Sequence, residues 1–218
     1  MSALTPAATQ PVLFAGGGLV ASELRRDEIA LLQAFFDANP EYFLAVNGRR
    51  PPPDLAAIEF DEVPPPHLSF GRQWRLGLHE SDALQPPGPS TQAGPAPLAG
   101  VAIVTSDLGL RHVWHIALFI VATPLHGRGV AAAAYAALEG WVRRQGAAYL
   151  RLSVVAGNER AERFWSRQGY VCLREREGID TGGRINTVRV MLKPLEAGRT
   201  VQAYLEAMPR DRPGSALP

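Results

Sequence analysis

The sequence carries one cysteine, Cys172, in 218 residues. That excludes an internal disulfide framework and a cysteine-based zinc site, and it suits a reducing compartment. A lone cysteine in VCL reads as a small hydrophobe of a strand. No apolar run approaches the roughly 20 residues that span a bilayer. The N-terminus, MSALTPAATQ, has neither the basic start nor the long apolar core of a signal peptide, so a cytoplasmic location is expected. Charge of either sign is not in excess: 22 Lys and Arg stand against 21 Asp and Glu. A net charge of +1 gives no reason to expect nucleic acid or a membrane surface as partner. No metal site is expected.

What is present reads as an ordinary globular chain, 46% hydrophobic and 20% charged, of a length that favours one domain. The expected domain runs over 1–208, with a tail over 209–218 that is dense in Pro and Gly. Residues 84–99, LQPPGPSTQAGPAPLA, form a Pro- and Gly-rich insertion between two strand-like segments, WRLGL and LAGVAIVTS. A long hairpin loop accounts for it. Ahead of it, PVLF is strand-like and Gly16–Gly18 make a turn. DEIALLQAFFDA (27–38) has a helical apolar face that stops at Asn39-Pro40. PEYFLAV and PDLAAIEFDEV are shorter helical candidates. Beyond the insertion, strands are expected near 100–105, 112–121, 149–156, 170–176 and 186–193, with helices over 128–145 and 159–168. This alternation implies an α/β sandwich.

The stretch HGRGVAAA (126–133) lies where the buried strand VWHIALFIVAT gives way to the longer helix. There the first unbonded N–H groups of the helix and its positive dipole end converge, a natural seat for a phosphate. Glycine at 127 and 129 keeps a Cβ from holding the anion away. A P-loop is excluded, because no Gly-Lys-Ser/Thr ending follows. A dinucleotide turn fits the spacing of Gly127, Gly129 and Ala132. It lacks the acidic residue after the next strand, since YLRLSVVAGN has no carboxylate.

Two blocks carry a resemblance to a known family. His126, Gly127, Arg128, Gly129, Val130 and Ala131 occupy a turn of the form Gln/Arg-x-x-Gly-x-Gly/Ala, with histidine in first place. VVAGNERAERFWSRQGY resembles the segment Asn-x-x-Ala-x-x-Phe/Leu-Tyr followed by Gly and an aromatic. In it Asn158 suits a helix N-cap, and Ala161, Phe164 and Trp165 share a helical face. Over about 112–176 the chain resembles the GCN5-related N-acetyltransferase (GNAT) superfamily. The resemblance implies a central, mostly antiparallel mixed sheet with splayed parallel central strands and flanking helices, with an acyl-CoA-binding core over about 100–193. It also implies acetyl-CoA as co-substrate, held by Phe119, Ile120, Val121, the turn 126–131, and Asn158, Ala161, Phe164 and Trp165. The implied reaction is acetyl transfer to a primary amine of a small molecule or a protein, by direct attack in a ternary complex.

In many members a tyrosine donates to the leaving sulfur; here Trp165 stands in its place. His115 is the candidate base, a residue of the central strand placed on the same face as Phe119 and Val121 by simple alternation. Glu59, Asp61 and Glu62 either meet a cationic amine or form a solvated face. Tyr42, Phe43 and Trp74 either line a pocket or fill core. A non-catalytic acyl-CoA-binding protein and a small Rossmann-like NAD(P)-binding protein are the alternatives. The edge strands of such a sheet allow a homodimer.

Overall fold

Runs of β-branched and aromatic residues such as GVAIVT and VWHIALFIV favour extended chain, because such side chains pack well on a pleated surface. A computed structural model describes residues 10–81 and 96–217, in which these runs form one eight-stranded sheet. The strands are β1 Phe14–Gly16, β2 Leu19–Glu23, β3 Gln73–Glu80, β4 Gly100–Thr105, β5 Val113–Val121, β6 Tyr149–Val155, β7 Val171–Asp180 and β8 Ile185–Pro194. Their order is β1-β2-β3-β4-β5-β6-β8-β7. The β5–β6 pair is parallel and the other neighbours are antiparallel. β3 and β4 pair directly, while residues 84–95 of the expected hairpin loop lie outside the described residues.

Helices cover both faces. α4 (Val130–Arg144) and α5 (Glu159–Arg167) lie over Trp114, Ile116, Leu150 and Leu152. On the opposite face, α1 (Ile29–Ala38), α2 (Glu41–Asn47) and α3 (Leu55–Asp61) pack on Ile103, Leu118 and Ile120. Beside them on that face, α6 (Val201–Ala207) packs on Val113, Tyr149, Val190 and Leu192. The stripe Ala134, Tyr135, Leu138, Trp141 and Val142 of α4 is buried, each large side chain contributing about 1.5–3 kcal/mol. Small residues set how closely α4 can dock. A Cβ on Gly16 would stand 2.7 Å from both the Ala133 carbonyl oxygen and the Ala137 Cβ.

One irregularity changes the reading of β5. The β4–β5 register steps from Ile103↔Leu118 to Val104↔Ile116, so Ala117 is an extra residue. A bulge of this kind breaks the alternation of faces. Trp114, Ile116 and Phe119 therefore pack toward α4, whereas Leu118 and Ile120 pack toward α1. His115, expected beside Phe119 and Val121, lies on the opposite face from them.

The fold also extends beyond the expected boundary at 208. Pro209–Asp211 form a 3-10 turn, and Asp211 is fully buried. Its carboxylate accepts from Arg151 Nε at 2.7 Å and Nη2 at 3.0 Å, and from the Tyr204 hydroxyl. The tail is thus anchored through Asp211 instead of loose from 209, because a buried arginine needs its counter-charge. Burial raises the Asp211 pKa, but the bonds from Arg151 and Tyr204 outweigh it and hold the group below its ordinary value. Cys172, expected as a strand hydrophobe, is in β7 but exposed. Among the described residues no helix is long and apolar enough to cross a membrane. Asp211→Ala leaves Arg151 buried and unpaired, and thermal denaturation should register a loss of about 3–5 kcal/mol. A loss of about 1 kcal/mol or less, as for surface pairs, would contradict this anchoring role.

Candidate functional site

The parallel pair is short. β5 and β6 are in register only from Val113↔Tyr149 to Ile116↔Leu152, although β6 continues to Val155 and pairs with β8 throughout. Past the bulge the two central strands part. The Ala122 N–H donates to the Ala99 carbonyl at 2.8 Å, which sets the phase of the β4–β5 ladder. By alternation, Ile120 and Leu118 are the other residues bonded to β4. The N–H and C=O groups of Phe119 and Val121 therefore point toward β6, where β6 no longer pairs. Backbone groups so placed seek a partner from outside the sheet.

At the top of this gap stands the glycine turn. Gly127 and Gly129 have φ of +77° and +78°, a region that costs other residues about 1–2 kcal/mol. No heavy atom lies within 4 Å of a Cβ built at either position, so the space over them is open. α4 begins at Val130 with no side chain capping its first N–H groups. An uncapped helix start in open space fits a phosphate or pyrophosphate. His126 has a structural part in this turn. Its Nε2 lies 2.7 Å from the Val121 carbonyl oxygen, and since a carbonyl can only accept, Nε2 carries the proton. The ring thereby ties the turn to the free end of β5, while its Nδ1 is buried without a partner among the described residues.

The second sequence block forms one wall of the gap. Asn158 caps α5, its Oδ1 accepting from the Ala161 N–H at 3.2 Å. Phe164 and Trp165 pack with Phe119, their ring centroids 6.2 and 5.8 Å from it. Trp165 is buried and carries no acidic proton. The nearby tyrosines do not replace it: the Tyr135 hydroxyl donates to Glu139 at 2.8 Å, the Tyr170 hydroxyl lies 3.1 Å from Tyr135, and both rings are buried. Desolvation raises the pKa of each.

On the opposite face the gap opens into a cleft that the sequence did not reveal. Ala117 and Ser153 are exposed although they belong to the two central strands. One side is the α1–α3 layer; the other is α6 and the turn at 209–211. α2 closes one end, running from β5 to the β7–β8 hairpin. At its start Thr123 bonds to Asn39 and Glu41, each at 2.8 Å. At its end Asn186 Nδ2 donates to the Val46 carbonyl at 2.9 Å, and Arg49 donates to the Gly182 carbonyl at 2.8 Å.

His115 faces this side, with Nδ1 3.4 Å from Arg151 Nη1. Desolvation and the Arg151 charge push its pKa down to about 3, so it stays neutral and is a poor base. Of the three acidic residues of α3 and its end, Asp61 pairs with Arg26 at the surface, and Glu62 contributes its carbonyl to Arg75. Glu59 is half-buried. Desolvation, with a smaller push from Glu62, raises it from 4.5 to about 7. Burial raises the pKa of Tyr42, and the charge of Glu59 adds to that rise. Tyr42 packs against the cluster that includes Leu118 and Ile120 of β5. Phe43 belongs to the core of that cluster, and Trp74 stacks on Trp114 on the α4 side. A titratable carboxyl near neutrality could not be read from the sequence, because Glu59 owes its strength to the packing of α3.

The sheet also disposes of the dinucleotide alternative. A Rossmann unit is built on a mostly parallel sheet, and this one has a single parallel pair among its described strands. Comparison with known proteins agrees. The acetyltransferase (GNAT) family matches residues 56–170, whereas no curated protein matches in sequence. Among solved structures, an acetyltransferase from Thermus thermophilus is 19% identical, with 81% of this chain and 97% of that chain covered and a TM-score of 0.56. The spermidine N-acetyltransferase from Vibrio cholerae, in complex with CoA and spermine, is 13% identical over 82% and 96%, with a TM-score of 0.57. The ribosomal-protein-S18-alanine N-acetyltransferase from Escherichia coli is 14% identical over 84% and 97%, with a TM-score of 0.54. At these identities the likeness is one of fold. The family match, which spans more than half of the sequence, adds the lineage: this chain belongs to the GNAT family of acetyltransferases.

Proposed function

We propose that the protein transfers the acetyl group of acetyl-CoA to a primary amine of a small molecule or a protein, by direct attack in a ternary complex. The observation that carries this reading is the parting of β5 and β6 beside an open glycine turn. Acetyl-CoA supplies a thioester, an acyl donor activated toward amines: the C–N bond forms as the C–S bond breaks, and CoA leaves as the thiolate. On this reading the N–H groups of residues 127–131 hold its pyrophosphate. The Phe119 backbone and the Val121 N–H pair with its amide-bearing arm, the Val121 carbonyl being held by His126, and an N–H there stabilises negative charge on the thioester carbonyl oxygen. Phe119, Phe164 and Trp165 exclude water from that side. Ile120, whose side chain packs on the opposite face, serves through the position of its strand, and Asn158 and Ala161 serve through the placement of α5.

An amine with a free pKa near 10 must lose a proton before it attacks. Glu59 takes the role first expected of His115, because a group near pH 7 is matched to the task and one near 3 is not. A second reading, acyl-CoA binding without catalysis, draws support from Trp165 and from the engaged hydroxyls of Tyr135 and Tyr170. Thiol release from acetyl-CoA with a panel of amines decides between the two.

Acetyl-CoA should raise the melting temperature and NADPH should not. Gly129→Val forces a branched residue into the left-handed region at about 1–2 kcal/mol. It should weaken acetyl-CoA binding by about tenfold or more, measured by calorimetry, with the circular dichroism spectrum unchanged. Native affinity in this variant would remove the turn from the site.

Glu59 makes two signed predictions. Its raised pKa favours the protonated carboxyl in the folded state. The stability it contributes is complete below about 4.5 and is lost as pH rises through about 7. Glu59→Gln should flatten that slope in pH-dependent denaturation. As the base, Glu59 also gives kcat/KM a rise that levels off above about pH 7. The variant should lose this limb and fall by about 10²–10⁴. A flattened stability slope with unchanged kinetics would show Glu59 to be structural alone.

A further inference from the structure

The cleft on the α6 side has a wall of arginines that the reaction itself does not require. Arg151 of β6 is neutralised by Asp211. Arg174 and Arg176 of β7 lie on the same face as Arg151. Across β8 they pair with Val190 and Val188, which pair in turn with Ser153 and Val155 of β6. Arg210 extends from the 209–211 turn, where its charge acts on His115; the charges of Arg151 and Arg176 oppose it, and that of Asp211, already engaged by Arg151, favours it. Among the described residues no carboxylate lies within 4.0 Å of Arg174, Arg176 or Arg210. Arg174 donates to the Arg210 carbonyl at 2.5 Å. Arg176 makes no side-chain hydrogen bond among the described residues, and the buried Nε of Arg210 has no partner there. Three partly buried guanidinium groups are thus left with unmatched positive charge and at least one unsatisfied donor beside Ser153. Such an arrangement is costly for the protein alone and complementary to an oxyanion, which guanidinium groups bind in forked geometry.

We propose that Arg174, Arg176 and Arg210 bind a carboxylate or phosphate group carried by the acceptor, so that the acceptor is an amine with an anionic substituent. This inference rests on the acetyltransferase reading for its account of what the cleft receives. It fits the charge layout of the cleft, with Glu59 in the α1–α3 layer for the ammonium end and the arginines opposite for the anionic end.

The test begins with inorganic phosphate, titrated into the full chain saturated with CoA so that the glycine turn is filled. Phosphate should raise the melting temperature saturably where chloride at equal ionic strength does not. Arg176→Gln and Arg174→Gln should each weaken that effect by about tenfold, an energy of about 1.4 kcal/mol, while the shift produced by CoA is unchanged. Turnover of matched amines then separates the two anions: phosphoethanolamine against ethanolamine, and β-alanine against propylamine. The preferred anion-bearing member should show at least about tenfold higher kcat/KM, and Arg176→Gln should erase the advantage. Equal effects of phosphate and chloride, phosphate binding unaffected by both substitutions, or preference for the amines without an anionic group would overturn the proposal. Failure of CoA to bind would instead strike the acetyltransferase reading. The phosphate titration, repeated without CoA, would still judge the arginine site by its dependence on Arg176.

Discussion

The molecule depends on a ladder that stops early. β5 and β6 share four residue pairs, and each strand then stays with its antiparallel neighbour. Parallel pairing is the weaker ladder per residue, so it is the one that yields when the sheet twists. The bulge at Ala117 adds local twist to β5 at that height. The result is an opening through the centre of the sheet, bordered by backbone groups of Phe119 and Val121 that β6 does not pair with; of these His126 takes the Val121 carbonyl.

The elements around that opening define its edges. On one face α4 approaches closely because Gly16 meets Ala133 and Ala137 without a Cβ. Its uncapped start comes level with the end of β5, and His126 locks the two together. α5 adds an aromatic wall. On the other face no helix among the described residues crosses the gap, and α2 spans only its end, tied to β5 through Thr123 and to the β7–β8 hairpin through Asn186 and Arg49. A site reached from two sides suits two substrates that meet in the middle.

The two faces also differ in electrostatics. Toward α4 the charges are matched: Glu139 serves Arg143, Lys193 and Tyr135, and Glu162 serves Arg189. Toward α6, among the described residues, the carboxylate of Asp211 stands against Arg151 and three further arginines. That imbalance adds to desolvation in depressing the pKa of His115. Glu59, half-buried in the α1–α3 layer, is raised to about 7 by its own desolvation and by Glu62, independently of those arginines.

Local chemistry made much of this legible. Glycines at a strand-to-helix junction, an asparagine before Ala161, Phe164 and Trp165, and apolar runs of strand length are signals carried by a few adjacent residues. The sequence therefore determined the α/β class, the ends of α4 and α5, and the turn, because backbone sterics and side-chain periodicity act within a few residues. Of the short elements, α2 and α3 were legible, but β2, of five residues, and α6, of seven and announced only by the Thr200 cap, were not. Contacts between distant segments decided the rest. The face on which His115 lies depends on how β4 slides along β5, the anchoring of Asp211 on a partner 60 residues away, and the basicity of Glu59 on the packing of α3. Register, ion pairing and desolvation are properties of segments brought together in space, and only the tertiary structure sets them.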